Sequence, residues 1–322
     1  FRPEHAAIAQ AIREKTQCDP LIAQVIAARG ATPASVRSWF DPKLRDLMVD
    51  PADFADMAAA IQRIADAIDN REQIAVFGDY DVDGACSTAL IASYLHMIGA
   101  PNALYYIPDR VLEGYGLNSA AVQTPAQKAT LLIAVDRGTT AHAELLQAQL
   151  LGLDTIVIDH HEPDPELPTG LVVNPKRPDD LSGEPTLCAA GVVFMMLAGL
   201  NRELRRRGRI GRPDPGARPE PDLRELTPLV ALATIADVAP LTALNRAFVR
   251  TGLANLNDAP SPGLSALLTI AETKTPITPS DVGFQIAPRL NAGGRLGDSQ
   301  LATRLLLTTD PEEARRIAAD LD

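Results

Sequence analysis

I-A-V-F-G-D-Y-D-V-D-G-A, residues 74–85, sets a short apolar run against three carboxylates at alternate positions, Asp79, Asp81 and Asp83. The run is too short and too continuously apolar for an exposed strand, and the stretch after Gly84, T-A-L-I-A-S-Y-L-H-M-I, has helical spacing. The same rhythm returns at A-L-Y-Y-I (103–107), L-L-I-A-V (131–135), T-I-V-I (155–158) and L-V-V (171–173), with the helical A-E-L-L-Q-A-Q-L between two of them. Strands buried on both faces and separated by helices predict an α/β fold with a parallel sheet flanked by helices. In such a sheet the polar residues that follow the strands collect along the carboxyl-end crevice, where open α/β sheets bind ligands.

Those residues are Asp79, Asp81 and Asp83, then Asp136 in V-D-R-G, Asp159-His160-His161 in I-D-H-H-E, and later Asp237 in T-I-A-D-V-A-P. A single Asp after a strand reads equally well as a helix cap or turn former. Acidic motifs at successive strand ends do not, because converging carboxylates repel unless a positive charge lies between them. Mg²⁺ and Mn²⁺ favour carboxylate oxygen, and Mn²⁺ also accepts imidazole. Only 5 histidines occur in the chain, and two of them are adjacent at this edge. Two ions about 4 Å apart sharing a carboxylate would suit phosphate chemistry, with Asp136 the candidate bridge.

A phosphorylated ligand also needs cationic and polar side chains. Candidates are Arg110 and Asn118, then Asn174, Lys176 and Arg177, then Arg289, Asn291 and Arg295, with Gly293 and Gly294 allowing backbone approach to an anion. Tyr115, between Gly114 and Gly116, reads either as a base-stacking platform or as a turn aromatic covering the core. The run Arg205–Arg207 reads as a solvated surface, with a nucleic-acid contact as the alternative.

A net charge of -11 argues against coating nucleic acid by bulk electrostatics but leaves room for a local basic groove. Cys18, Cys86 and Cys188 are scattered and form neither a disulfide framework nor a thiolate zinc pattern, which fits a reducing compartment. No apolar stretch approaches the roughly 18 residues of a membrane span, and F-R-P-E-H-A has no signal-like character. A cytoplasmic fragment of a longer chain is expected. At 322 residues the organisation expected is a helical extension packed on the core over 1–70, the main domain over 71–300 with a flexible Arg/Gly/Pro-rich loop at 205–222, and a connector helix beginning at 301–322.

The motifs G-D-Y-D-V-D-G (78–84), E-G-Y-G-L-N (113–118), V-D-R-G (135–138), D-H-H (159–161), N-P-K-R-P-D (174–179), A-D-V-A-P-L (236–241) and P-R-L-N-A-G-G-R-L (288–296) span most of the chain. In this order they resemble the DHH-family phosphoesterases, and within them the bacterial exonucleases that digest single-stranded DNA from the 5′ end. The resemblance implies a DHH-type, Rossmann-like sheet and a helical C-terminal portion. It also implies release of 5′-mononucleotides with two Mn²⁺ or Mg²⁺ ions, in DNA recombination and repair. On that resemblance Asp81, Asp83, Asp136, His160 and Asp237 are metal ligands, and Asp79 is a ligand or supports one. His161, Asp136, Arg289 and Arg295 form the expected catalytic set, with His161 at the scissile phosphate. Arg110, Tyr115, Asn118, Arg289, Asn291 and Arg295 form the expected DNA contacts.

The same resemblance implies a monomer working with a single-stranded-DNA-binding protein and a RecQ-like helicase. Chains of this type continue into a DHHA1 domain and an oligonucleotide-binding fold, neither of which is recognisable here, and the closing helix resembles the start of their connector. Arg137 stands where the family often has a small or polar residue, and either reaches a phosphate or points to solvent. The competing functions are another DHH phosphohydrolase, acting on oligoribonucleotides, cyclic dinucleotides or pyrophosphate, and a non-catalytic replication scaffold. Loss of metal ligands would mark the scaffold, and the set here is intact.

Overall fold

The computed structural model describes residues 3–100, 103–108, 117–118, 122–123, 128–211 and 218–322. All five expected strands are present: β1 (Ile74–Gly78), β2 (Leu104–Tyr106), β3 (Leu131–Val135), β4 (Asp154–Ile158) and β5 (Leu171–Val173). They pair in parallel in the order β2-β1-β3-β4-β5. Side chains alternate between the two faces along each strand. Ile74, Val76, Leu131, Ile133, Val135, Ile156, Ile158 and Val173 therefore enter one large core, while Ala75, Phe77, Leu132, Ala134, Val157 and Val172 enter a smaller one on the opposite face. Both faces of β1, β3, β4 and β5 are covered, which explains why these strands read as continuous apolar runs, while β2 at the edge is only partly buried.

Of the helices that matter here, α1 (Pro3–Thr16) and α2 (Pro20–Ala28) precede the sheet, as does α3 (Met57–Asp69). The helix α4 (Val82–Met97) follows β1, α5 (His142–Leu150) follows β3, and α6 (Ala189–Arg206) follows β5. The C-terminal portion is helical, with α7 (Thr227–Ala236), α8 (Ala243–Asp258), α9 (Pro262–Ile270), α10 (Leu301–Leu307) and α11 (Pro311–Asp320). The helix α4 buries Ala85, Cys86, Ala89, Leu90, Tyr94 and Leu95, with α6, α7 and α10 packed around it. Its Tyr94 hydroxyl donates to Asn201 Oδ1 of α6 at 2.6 Å, so this buried phenol is satisfied.

The segments on either side of the sheet pack as follows. Phe54, Met57, Ile61 and Ile64 pack into the main core, and the preceding part of the helical extension has a small cluster of its own, formed by Ala9, Ile12, Ala23, Ala27, Ala31 and Val36. It docks on α8, where the Arg246 guanidinium lies 5.2 Å from the Trp39 ring and donates to the Trp39 carbonyl at 2.7 Å. The loop expected from residue 205 begins after Arg206, because Arg205, Arg206 and Arg207 pair with Glu220, Glu203, Asp66 and Asp69. Cations in the last turn also suit the helix dipole, so an Arg run that reads as a loop by composition continues α6. Residues 301–322 form two helices joined by a short turn, with α11 packed on α9 and α10.

Candidate metal centre

Gly78, Val135 and Ile158 are in register across β1, β3 and β4, and Ile158 with Val173 across β5. The next residues are Asp79, Asp136, Asp159 and Asn174, so four polar side chains leave the sheet in one row. From β1 the chain passes to β2 on one side, and β3 lies on the other. The row therefore straddles the point where the strand order reverses, the usual crevice of an open α/β sheet.

The loop after β1 turns at once into α4. Asp81 caps that helix, accepting from the Gly84 N–H at 3.0 Å, and Asp83 lies buried in its first turn. The Asp83 oxygens accept from the Ala189 and Ala190 N–H groups at 2.7 and 2.8 Å, so the unpaired donors at the start of α6 are aimed at this carboxylate. Gly84 permits the turn: a Cβ there would lie 2.5 Å from the Asp79 carbonyl oxygen. From the C-terminal portion, Asn291 Oδ1 accepts from the Val82 N–H at 3.1 Å, and a Cβ on Gly294 would meet the Tyr80 ring at 2.6 Å. The N-A-G-G-R segment thus braces the first acidic loop.

Asp136 adopts φ +59°, a left-handed conformation that short polar residues tolerate better than most, while its N–H continues the ladder to the Ile158 carbonyl at 3.0 Å. This turn brings its Oδ1 to 3.1 Å from His160 Nε2 and 4.0 Å from His161 Nδ1. His160 also lies 3.5 Å from Asp83 Oδ2 and 3.9 Å from Asp237 Oδ2. Asp237 ends α7 and joins the centre from outside the sheet.

Three overlapping groups of potential ligands result, each with donor atoms within 4.8 Å of one another: Asp136, His160 and His161; Asp83, His160 and Asp237; and Asp79, Asp81 and Asp136. Asp136 and His160 each belong to two groups. This donor set of carboxylate oxygen with imidazole fits Mn²⁺ or Mg²⁺. The electrostatics fit as well. Burial, then the charge of Asp83 and Asp81, pushes Asp136 well above the usual carboxylate range, and burial with Asp81 and Asp237 pushes Asp83 up to about 7. Burial and neighbouring His161 lower His160 to about 4, leaving it neutral and competent to bind a cation.

Asp159 has a different part, which the sequence pattern did not distinguish from that of a ligand. Its Oδ1 accepts from the His160 and His161 N–H groups at 2.7 and 3.2 Å and lies 2.7 Å from His161 Nδ1, and its Oδ2 accepts from the Thr139 N–H at 3.0 Å. Burial acts to raise Asp159, but the His161 bond and charge with the Thr139 donor outweigh it, so the carboxyl titrates below its usual range. The bond to Asp159 raises His161 in turn, and the His161 side chain is 45% exposed. Asn174, expected near phosphate, is instead fully buried and donates to Thr139 Oγ1 and the His161 carbonyl at 3.0 and 2.8 Å. It fixes the β4 turn from behind.

The other expected contacts divide. Lys176 is near enough to act electrostatically on both His160 and Asp237. Arg177 is turned away into an ion-pair cluster with Asp56 and Asp179. Arg289 pairs with Asp322 at 2.7 Å and donates to the Gln285 carbonyl at 2.8 Å. Arg295 is exposed at the end of the turn that packs on Tyr80. Asn118 is partly buried with its carbonyl accepting from the Val122 N–H, while Arg110 and Tyr115 lie outside the described residues. Cys86 and Cys188 are buried beneath the centre and burial raises both thiols, so neither is poised as a nucleophile.

Residues 73–234 match the DHH family, N-terminal domain, and the chain belongs to that family. The relatives it resembles within the family are RecJ exonucleases. The single-stranded-DNA-specific exonuclease RecJ of Bacillus subtilis (strain 168) is 36% identical over 325 residues, covering 100% of this chain and 39% of that protein. RecJ from Thermus thermophilus in complex with Mn²⁺ superposes with a TM-score of 0.81 at 32% identity, over 100% of this chain and 44% of that one. A crystal structure of exonuclease RecJ bound to manganese matches with a TM-score of 0.73 at 37% identity, over 83% of this chain and 65% of that one. The chain thus spans less than half the length of the Bacillus relative.

Proposed function

We propose that this chain carries the catalytic centre of a metal-dependent exonuclease that removes 5′-mononucleotides from single-stranded DNA in recombination and repair. The observation that carries the proposal is the convergence of three ligand groups on Asp136 and His160 at the sheet's switch point, in a chain whose whole length aligns with 39% of the Bacillus RecJ. When bound, divalent cations would neutralise these carboxylates and polarise both a phosphodiester oxygen and a water. Asp81, Asp83, Asp136, His160 and Asp237 would hold them.

The chain's own groups supply the rest. His161, oriented by Asp159 at Nδ1, would use its other ring nitrogen, Nε2, to hold or move a proton at the leaving oxygen. Lys176 adds positive charge beside the acidic cluster, where phosphate oxygens gain negative charge during the reaction, and the exposed Arg295 would reach a phosphate from the turn that packs on Tyr80. No covalent nucleophile is required. A single-stranded-DNA-binding protein and a strand-separating helicase would be suited to supply the substrate. Among the described residues, no helix is long and apolar enough to cross a membrane.

The test is digestion of 5′-phosphorylated single-stranded DNA with Mn²⁺, beside duplex, RNA and dinucleotide substrates. Asp136→Ala should abolish hydrolysis and most tight Mn²⁺ binding. Faster turnover of dinucleotides than of long single strands would assign the centre to another DHH phosphohydrolase, and near-normal hydrolysis by Asp136→Ala would refute the assignment.

A further inference from the structure

The turn V-D-R-G places a cation inside the acidic cluster. Arg137 follows Asp136, whose left-handed φ of +59° and the +119° of Gly138 carry the chain back across the end of β1. There Arg137 Nε lies 2.7 Å from Asp79 Oδ2, in a pair whose side chains are only 17% and 3% exposed. The other Asp79 oxygen accepts from the Tyr80 N–H at 2.8 Å. Both oxygens of Asp79 are therefore engaged by protein donors, whereas among the described residues Asp81 spends one oxygen, on its helix cap. Yet Asp79 stands in one ligand group with Asp81 and Asp136.

A buried carboxylate must be compensated, either by a metal ion or by a protein cation. We infer that Arg137, held against Asp79 at the end of β1, is a positioning residue that keeps Asp79 out of the cation shell and leaves the ions to Asp81, Asp83, Asp136, His160 and Asp237. Arginine suits the part because its charge is permanent and its planar fork fixes the direction of the bond. The guanidinium also acts as a fixed charge one residue from Asp136, weakening cation binding at that edge. The inference rests on the metal-centre reading but does not depend on which phosphodiester is hydrolysed.

The test is calorimetric titration of the metal-free protein with Mn²⁺, with no nucleic acid present. Asp81→Asn should weaken binding about 100-fold, and Asp79→Asn by less than about threefold. Arg137→Met should tighten binding about tenfold by releasing Asp79 to the cation, and the double variant with Asp79→Asn should return to within about threefold of the unsubstituted protein. Arg137→Lys retains the charge and should titrate like the unsubstituted protein. If Arg137→Met does not fold, Asp79→Asn and Arg137→Lys carry the test. An Asp79→Asn loss equal to that of Asp81→Asn, or unchanged or weaker binding by folded Arg137→Met, would overturn the inference. Wild-type Mn²⁺ binding without DNA hydrolysis would count against the proposed function alone.

Discussion

Replacing Asp159 by Asn isolates what this carboxylate does for His161. Three donors converge on Oδ1, namely the His160 and His161 N–H groups and His161 Nδ1, while the Thr139 N–H addresses Oδ2. An amide offers one acceptor and one donor end, so either orientation sets an NH₂ against an N–H. The cheaper orientation sacrifices Thr139. Losing one bond to a charged group costs about 1.5–3 kcal/mol, and the three remaining bonds weaken with loss of the charge, so a total near 2–4 kcal/mol is expected.

The pH dependence of this loss follows from the two shifts. His161 is raised in the folded state, so its contribution is complete below its unfolded pKa of about 6.5 and disappears as pH rises through the folded value. Asp159 is lowered, so its contribution is complete above about pH 4 and disappears as pH falls through the folded value. The stability difference between the unsubstituted protein and Asp159→Asn should therefore be largest between about pH 4 and 6.5 in metal-free urea unfolding. An NMR titration should show His161 falling toward its ordinary value, and hydrolysis should drop about 10²–10⁴-fold. A stability loss under about 1 kcal/mol with an unchanged His161 titration would refute the orienting role.

Two further substitutions test the support around the centre. Asn174→Ala removes two donated bonds and the bond its Oδ1 accepts from the Lys176 N–H at 2.9 Å, and should cost about 2–4 kcal/mol in urea unfolding as well as lowering turnover. A purely local effect would leave turnover intact. Tyr94→Phe leaves Asn201 Oδ1 buried without its donor and should cost about 1–3 kcal/mol with Mn²⁺ affinity unchanged, and an altered Mn²⁺ isotherm would contradict the separation of that core from the centre.

The sheet was legible because its strands, the edge strand β2 apart, are buried on both faces, and burial of that kind writes itself as an unbroken apolar run. The strand-end motifs were legible for a related reason: carboxylates collected beside the same crevice have few stable arrangements without a cation. Composition misled where a partner lies far off in sequence. Arg205–Arg207 look like a loop until Glu203, Glu220, Asp66 and Asp69 are brought beside them.

Within the centre the division is finer. The sequence alone placed Asp79, Asp81, Asp83, Asp136, Asp159, His160 and His161 at strand ends, since strand length and helix spacing are local properties. Which carboxylate faces a cation, which orients a histidine and which answers an arginine depends on bonds a few tenths of an ångström long or short. Asp83 receives α6 from more than a hundred residues away, Asp159 receives Thr139 from the neighbouring strand end, and Asp79 receives Arg137 across the β1–β3 pair. Residue type says only that each is an acid; its partners are chosen when the chain is folded, because a hydrogen bond has direction and range that sequence spacing does not encode.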